Sequence, residues 1–267
     1  MDVKSTTQLV RESYASIAKQ QSGCGCGCSC GGGAVDYAKS LGYSDNELFK
    51  IPSEANLALS CGNPTALADL KSGEIILDLG SGAGFDCFLA SAKVGPSGKV
   101  IGVDMTPEMI EKARSIALKD NFSNVEFRLG EIENLPVADN SIDVVISNCV
   151  VNLSADKQRV FKEIYRVLKP GGRIAISDVV LLKDLPEKTR QSIEAWVGCI
   201  AGAVNVDEYK RLIKEAGLKS SKITVSGNSF AVDINTQDPM VKAVLDTLEP
   251  DRSITDYVAS VYVEAIK

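Results

Sequence analysis

At 267 residues, 45% apolar and 24% charged, the chain has the balance of an ordinary globular protein with enough length to bury a sizeable core. Lys and Arg total 29 against 35 Asp and Glu, a net charge of −6 with no basic stripe, which argues against a nucleic-acid partner. Eight cysteines and no histidine exclude a Ser-His-Asp triad, an imidazole base and imidazole metal ligands, so any chemistry falls to thiols, carboxylates or a cofactor.

Met1 to Gln21 sets Val10, Tyr14 and Ile17 among polar residues, which predicts an amphipathic helix rather than a secretory signal. No stretch reaches the ~18 apolar residues of a membrane span, and a reducing cytoplasm, where cysteines stay thiols, is the expected setting. Ser22 to Gly33 reads SGCGCGCSCGGG, a glycine-rich tract predicted to be a flexible loop. If extended, its period of two sets Cys24, Cys26, Cys28 and Cys30 on one face at roughly 7 Å intervals, at or beyond the usual disulfide span.

From Glu74 strands alternate with helices. EIILDLG is followed by a helix through Ala92, KVIGVD by a helix from Thr106-Pro107 to about Lys119, and NVEFRLG by SIDVVISN. A helix from about Asp156 to Lys169 gathers Val160, Phe161, Ile164, Val167 and Leu168 on one face, and Pro170-Gly171-Gly172 stops it before the strand RIAISDVV. Helical segments are expected around Lys188 to Gly198 and Val206 to Ala216, then the strands KITVSG and VASVYVEAI. This pattern predicts an α/β, Rossmann-like fold: a mostly parallel, doubly wound sheet closed by a terminal antiparallel strand pair. The chain divides into an N-terminal helical and Cys-rich segment (1–72), a cofactor-binding core (73–182), and a C-terminal substrate-binding segment with the closing strands (183–267).

Asp78-Leu79-Gly80-Ser81-Gly82-Ala83-Gly84 lies directly after an apolar strand and before a helix, the context that gives such glycines meaning. Asp104 ends the next strand, where a carboxylate can accept hydrogen bonds from both hydroxyls of a ribose. Together they describe a site for an adenosine-bearing cofactor. A dinucleotide fingerprint counted from Gly80 needs a small residue where Phe85 stands. A Tyr165/Lys169 pair suggestive of a dehydrogenase sits on an amphipathic helix, where a surface Tyr and a dipole-complementing Lys suffice to explain it.

The DxGxGxG pattern instead resembles motif I of class I S-adenosylmethionine (SAM) methyltransferases. Gly130-Glu131-Ile132 resembles their adenine-flanking segment, and Leu168 to Gly172 the turn before their fifth strand. The resemblance implies that Asp78 serves the positively charged methionine end of SAM. By position it implies a cofactor site of Asp78, Gly80, Ser81, Gly82, Gly84, Asp104, Met105, Glu131, Ile132 and Asn148.

Three cysteines stand singly around this loop. Cys149 follows the fourth strand, where the ligand crevice of an open parallel sheet lies. Cys61 sits in the turn-rich SCGNP, and Cys199 in GCIAGA between the core and the closing strands. Cys87, flanked by Phe88 and Leu89, is expected to be a small core residue. Three separated thiols make a poor zinc site, which wants four ligands, but suit arsenic(III), which needs three. An arsenic lone pair can take a methyl group with no proton to remove, consistent with the missing histidine.

SCGNP, ILDLGSGAGFDCF, VIGVDMTPEMI, RLGEIENLPV, SNCVVNLS and GCIAGA together resemble the arsenite methyltransferase family over residues 1 to about 220. The resemblance implies SAM as cofactor, arsenite and methylarsenite as substrates, and Cys149 and Cys199 as principal arsenic ligands. It further implies that Cys61 joins them and cycles through a disulfide with an N-terminal cysteine, Cys24 to Cys30 being the candidates. Thioredoxin or glutathione would regenerate the thiols, and the expected state is a cytoplasmic monomer without membrane or nucleic-acid partners. Two other readings are a SAM methyltransferase for a small organic acceptor and a non-catalytic, thiol-rich metalloid-binding protein. Relatives of the first kind often carry a histidine shortly after the fourth strand, where Asn152 stands here.

Overall fold

The computed structural model describes residues 3–19, 33–60, 62–226, 244–249 and 251–267; Cys24, Cys26, Cys28, Cys30 and Cys61 lie outside them. The strands are β1 (Ile75–Leu79), β2 (Lys99–Asp104), β3 (Val125–Leu129), β4 (Ile142–Asn148), β5 (Leu168–Leu181), β6 (Val204–Asn205), β7 (Lys219–Ser226) and β8 (Val258–Ile266). The helices are α1 (Val3–Lys19), α2 (Ala34–Ser40), α3 (Asp45–Phe49), α4 (Pro64–Leu67), α5 (Phe85–Val94), α6 (Pro107–Lys119), α7 (Lys157–Val167), α8 (Glu187–Gln191), α9 (Ile193–Val197) and α10 (Val206–Glu215).

The sheet order is β3-β2-β1-β4-β5-β8-β7, with β6 a short partner of β5. Strands β3 to β5 in that order are parallel, while β8 runs antiparallel to both β5 and β7. The Rossmann-like expectation, including the closing antiparallel pair, is met. Strand β1 is central because IILDL is apolar on both faces apart from Asp78, and a strand buried on both sides cannot alternate with polar residues.

Side chains alternate across the sheet and so feed two cores. Leu77, Leu79, Val145, Ile174 and Ile176 pack with Phe161 and Ile164 of α7 and Tyr209 and Leu212 of α10. Ile76, Val100, Val144 and Ile146 face the other way, against Phe88 of α5 and Ile110 of α6. Each such fully buried side chain contributes about 1.5–3 kcal/mol by leaving water.

Two local expectations are corrected and one unexpected element is added. Helix α7 ends at Val167 rather than Lys169, and β5 begins at Leu168 and runs through Pro170-Gly171-Gly172. The chain's last residue accounts for this: Gly171 N–H donates to the carbonyl of Lys267 (3.1 Å) and Lys267 N–H to that of Gly172 (2.9 Å). The segment Lys188 to Gly198 is two short helices, because Ser192 is extended there and its hydroxyl accepts the N–H of Ala195 to start α9. Third, Val204–Asn205 pairs with β5 as a two-residue strand that no local pattern announces.

Helix α1, expected from its apolar spacing, lies across the carboxyl end of the sheet. Lys19 pairs with Glu108 of α6 (2.9 Å), Arg11 with Glu131 after β3 (3.0 Å), and Tyr14 donates to the carbonyl of Val197 in α9 (3.4 Å). Among the described residues no helix is long and apolar enough to cross a membrane.

Candidate active site

Strand order reverses between β1 and β4, so a crevice opens beyond their carboxyl ends. The loop after β1 is pinned to β2 by Gly80 and Ser81 N–H groups donating to the carbonyl of Val103 (2.8 and 3.0 Å). Gly80 has φ +66°, and a Cβ there would meet Val150 at 2.3 Å, so both conformation and space require glycine. A Cβ on Gly82 would meet nothing within 4 Å, as expected for a position facing a cavity. Asp104 accepts the N–H of Gly82 (2.9 Å) and of Thr106 (2.8 Å), which holds its carboxylate at the end of β2.

This cavity is lined by Asp78, Gly80, Ser81, Gly82, Asp104, Met105, Ile132, Asn148 and Cys149, and α1 covers it with Thr7, Val10 and Tyr14. Two expected cofactor residues stand back from it. Gly84 is the left-handed residue that starts α5, and Glu131 is engaged with Arg11. Sequence reasoning overlooked Asp86, which lies in the first turn of α5, lines the cavity and is 6% exposed. Its signal was a carboxylate within the otherwise apolar FDCFLA. Cys87 is fully buried as expected, but its thiol also donates to Asp78 (3.2 Å).

Burial, and then the charge of Asp86, hold Asp78 well above the usual carboxylate range. Burial raises Asp86 to about 6, against the opposing hydrogen bonds from Asn148 and Tyr43. Burial also raises Asp104, offset in part by its two amide donors. Buried carboxylates side by side favour a cationic ligand. The Ser81 hydroxyl is buried without a hydrogen-bond partner. An adenosine cofactor bearing a sulfonium and an ammonium fits this donor and acceptor set.

Cys149 lines the edge of this cavity, and Cys199 packs against its backbone. Cys149 and Cys199 both have left-handed backbones, φ +57° and +62°, a conformation costing a non-glycine residue about 1 kcal/mol or more. Cys149 is anchored by its N–H to the carbonyl of Ser177 (2.8 Å), and the Cys199 thiol donates to the carbonyl of Cys149 (2.8 Å). Burial and then Asp178 raise the Cys199 thiol, while Lys157 opposes them. Cys149 is disulfide-bonded. Among the described residues no three Cys, His, Asp or Glu side chains form a metal-holding cluster; two of the three expected ligands are described.

Beneath the thiols, Asn152 donates its amide to Asp178 (2.9 Å) and to the carbonyl of Val179 (2.6 Å), and Tyr209 donates to Asp178 (3.1 Å). Lys157 donates to the carbonyls of Ser154 (2.7 Å) and Asn152 (3.4 Å). Burial lowers Lys157 to about 8 and raises Asp178 to about 6. The loop bearing Cys199 touches this floor backbone to backbone: a Cβ on Gly202 would lie 2.1 Å from the carbonyl oxygen of Asn152.

A methyltransferase-domain family profile matches residues 70–217. The arsenite methyltransferase of Halobacterium salinarum is 47% identical over 276 aligned residues, covering 100% of this chain and 68% of the relative. The arsenite methyltransferase of Homo sapiens is 44% identical over 151 residues, 53% of this chain and 40% of the relative. Among solved structures, an arsenic(III) S-adenosylmethionine methyltransferase from Chlamydomonas reinhardtii is similar with a TM-score of 0.60 and 32% identity, over 88% of this chain and 73% of that one. The alignments thus span about two thirds of the halobacterial relative and less than half of the human one.

Proposed function

The chain belongs to the arsenite methyltransferases, SAM-dependent enzymes of class I fold, and we propose that it methylates trivalent arsenic held by Cys149, Cys199 and Cys61. The observation that supports this reading is the Cys199 thiol donating to the backbone carbonyl of Cys149 (2.8 Å), beside the cavity that Cys149 lines, with each cysteine on a left-handed backbone. Strained backbone at a predicted ligand fits a functional constraint better than a packing role.

Asp78 and Asp86 would receive the cationic methionine end of the cofactor, Asp104 the ribose, and Gly82 leaves the room for close approach. Bound SAM supplies an electrophilic methyl group on a sulfonium. Trivalent arsenic keeps a lone pair, so no base is needed on the acceptor. The organic-acceptor reading is disfavoured for the same reason: Asn152 stands where a histidine would serve, and its amide is committed to Asp178 and Val179.

A disulfide at Cys149 must open before that sulfur can bind arsenic. Opening it takes two electrons and two protons, which a thiol reductant such as thioredoxin or glutathione would supply. A cytoplasmic setting and a monomeric state complete the proposal, as does the division at residues 72 and 182.

Arsenic speciation after incubation with SAM and a thiol reductant tests it. Methylated arsenicals exceeding one methyl per protein are expected, which would exclude simple sequestration. Cys149→Ser and Cys199→Ser should each lower the rate by about 100-fold or more with cofactor binding kept. Normal arsenite methylation by Cys149→Ser would overturn the assignment.

A further inference from the structure

Between the cofactor cavity and the thiol-bearing segments lies a buried knot of polar groups. Tyr43, in the turn between α2 and α3, presents its hydroxyl to Asp86 Oδ1 (2.8 Å) and to the carbonyl of Gly62 (2.9 Å). The side-chain amide of Asn148 faces the same Gly62 carbonyl (2.9 Å), Asp86 Oδ2 (3.0 Å) and the Tyr43 oxygen (3.3 Å). Gly62 directly follows Cys61, and Asn148 directly precedes Cys149. Asp86 and Asn148 line the cofactor cavity, whereas Tyr43 stands behind them, 2% exposed.

Protons are short in this knot. Tyr43 has one proton for two acceptors, the Asp86 carboxylate and the Gly62 carbonyl, and the Asn148 amide has two for three contacts, so these donors cannot serve all five contacts at once. Buried acceptors without donors are costly, and a carboxylate among them favours a donor that is also a cation. The α-ammonium of an amino-acid-derived cofactor is such a donor. Once Asp86 is satisfied from the cavity side, the single Tyr43 proton is left to the Gly62 carbonyl.

On the reading of the site given above, we infer that Tyr43 is a positioning residue that makes cofactor occupancy and arsenite capture strengthen each other, by passing its proton between Asp86 and Gly62. Tyr43 touches neither ligand. It sets the backbone beside Cys61 and, through Asn148, the backbone beside Cys149. Coupling of this kind is reciprocal: whatever factor the cofactor adds to arsenite affinity, arsenite adds to cofactor affinity.

Titration calorimetry tests this with S-adenosylhomocysteine, which keeps the ammonium and permits no turnover, and with arsenite, on protein reduced by a phosphine because thiol reductants would compete for arsenic. In wild type, each ligand should tighten the other by the same factor, about fivefold or more. Tyr43→Phe keeps the edge-to-face contact with Phe85 (5.0 Å) and should fold. It should leave each ligand alone within about threefold of its wild-type affinity and bring the mutual factor close to one. Asp86→Asn, which fills the knot with its own amide protons, should also abolish the coupling.

A merely structural tyrosine would weaken both ligands singly and leave their ratio intact; that result, or full coupling retained in Tyr43→Phe, would overturn the inference. Wild type that binds both ligands independently would overturn it as well. Wild type that binds no arsenite would instead overturn the functional reading, and this inference with it.

Discussion

Replacing Gly202 by alanine places a methyl carbon 2.1 Å from the carbonyl oxygen of Asn152, where ordinary contact begins at 3.4 Å. The neighbour is backbone, and Asn152 is tied to Asp178 and Val179 through its side chain, so it cannot swing aside. Relief must come from the loop that carries Cys199, which has to withdraw from the Cys149 turn by roughly 1 Å, a displacement large enough to cost about 100-fold in rate at a reacting centre. That withdrawal also breaks the 2.8 Å bond from the Cys199 thiol to the Cys149 carbonyl. Overpacking should cost about 1–3 kcal/mol of stability. The assay is kcat/KM for arsenite alongside calorimetric binding of S-adenosylhomocysteine: the first should fall by about 100-fold and the second stay within about threefold. Gly171→Ala is the control: a Cβ there meets nothing within 4 Å and the site is remote, so arsenite kinetics should hold even with the strain of its φ of +79°, which Gly202 lacks. Gly202→Ala with wild-type arsenite kinetics would refute a role for this backbone contact in seating the Cys199 loop against the Cys149 turn.

Gly80→Ala should abolish cofactor binding and lower the melting temperature, since its Cβ would meet Val150 at 2.3 Å on a left-handed backbone; cofactor titration and thermal melts check both. Cofactor affinity should also depend on pH. Asp86 sits at about 6, and a cation binds its ionised form, so titration of this group alone should weaken binding by up to about tenfold per unit as pH falls below 6. Asp78 and Asp104, raised by the same burial, act in the same direction. A dissociation constant unchanged between pH 5 and 7.5 would contradict the placement of a cationic group beside these carboxylates.

The cavity beyond the carboxyl end of the sheet was legible because its requirements are local. Gly80, Gly82 and the flanking carboxylates Asp78 and Asp104 lie within two strand-to-loop junctions, and a rule about strand ends is enough to bring them to one cavity. Cys149 was legible for the same reason, as the residue after a central strand. Helix and strand types followed from apolar periodicity, and the misses came where a distant group intervened: Lys267 drew Gly171 and Gly172 into β5, and Ser192 capped a new helix where one continuous helix was expected.

Tertiary structure alone decided the rest. Tyr43 meets Asn148 across 105 positions, Asp86 across 43, and Cys199 meets the Cys149 carbonyl across 50. No local window holds these pairs, and a tyrosine or aspartate in the sequence does not announce whether its buried protons and lone pairs will be matched. The left-handed backbones of Cys149 and Cys199 belong to the same class, because the local preference of a cysteine runs against them and only the surrounding packing holds them there. The residue types thus determined which chemistry was available, thiols and carboxylates without imidazole, and the fold determined which cysteines pack together and which carboxylate stands behind them.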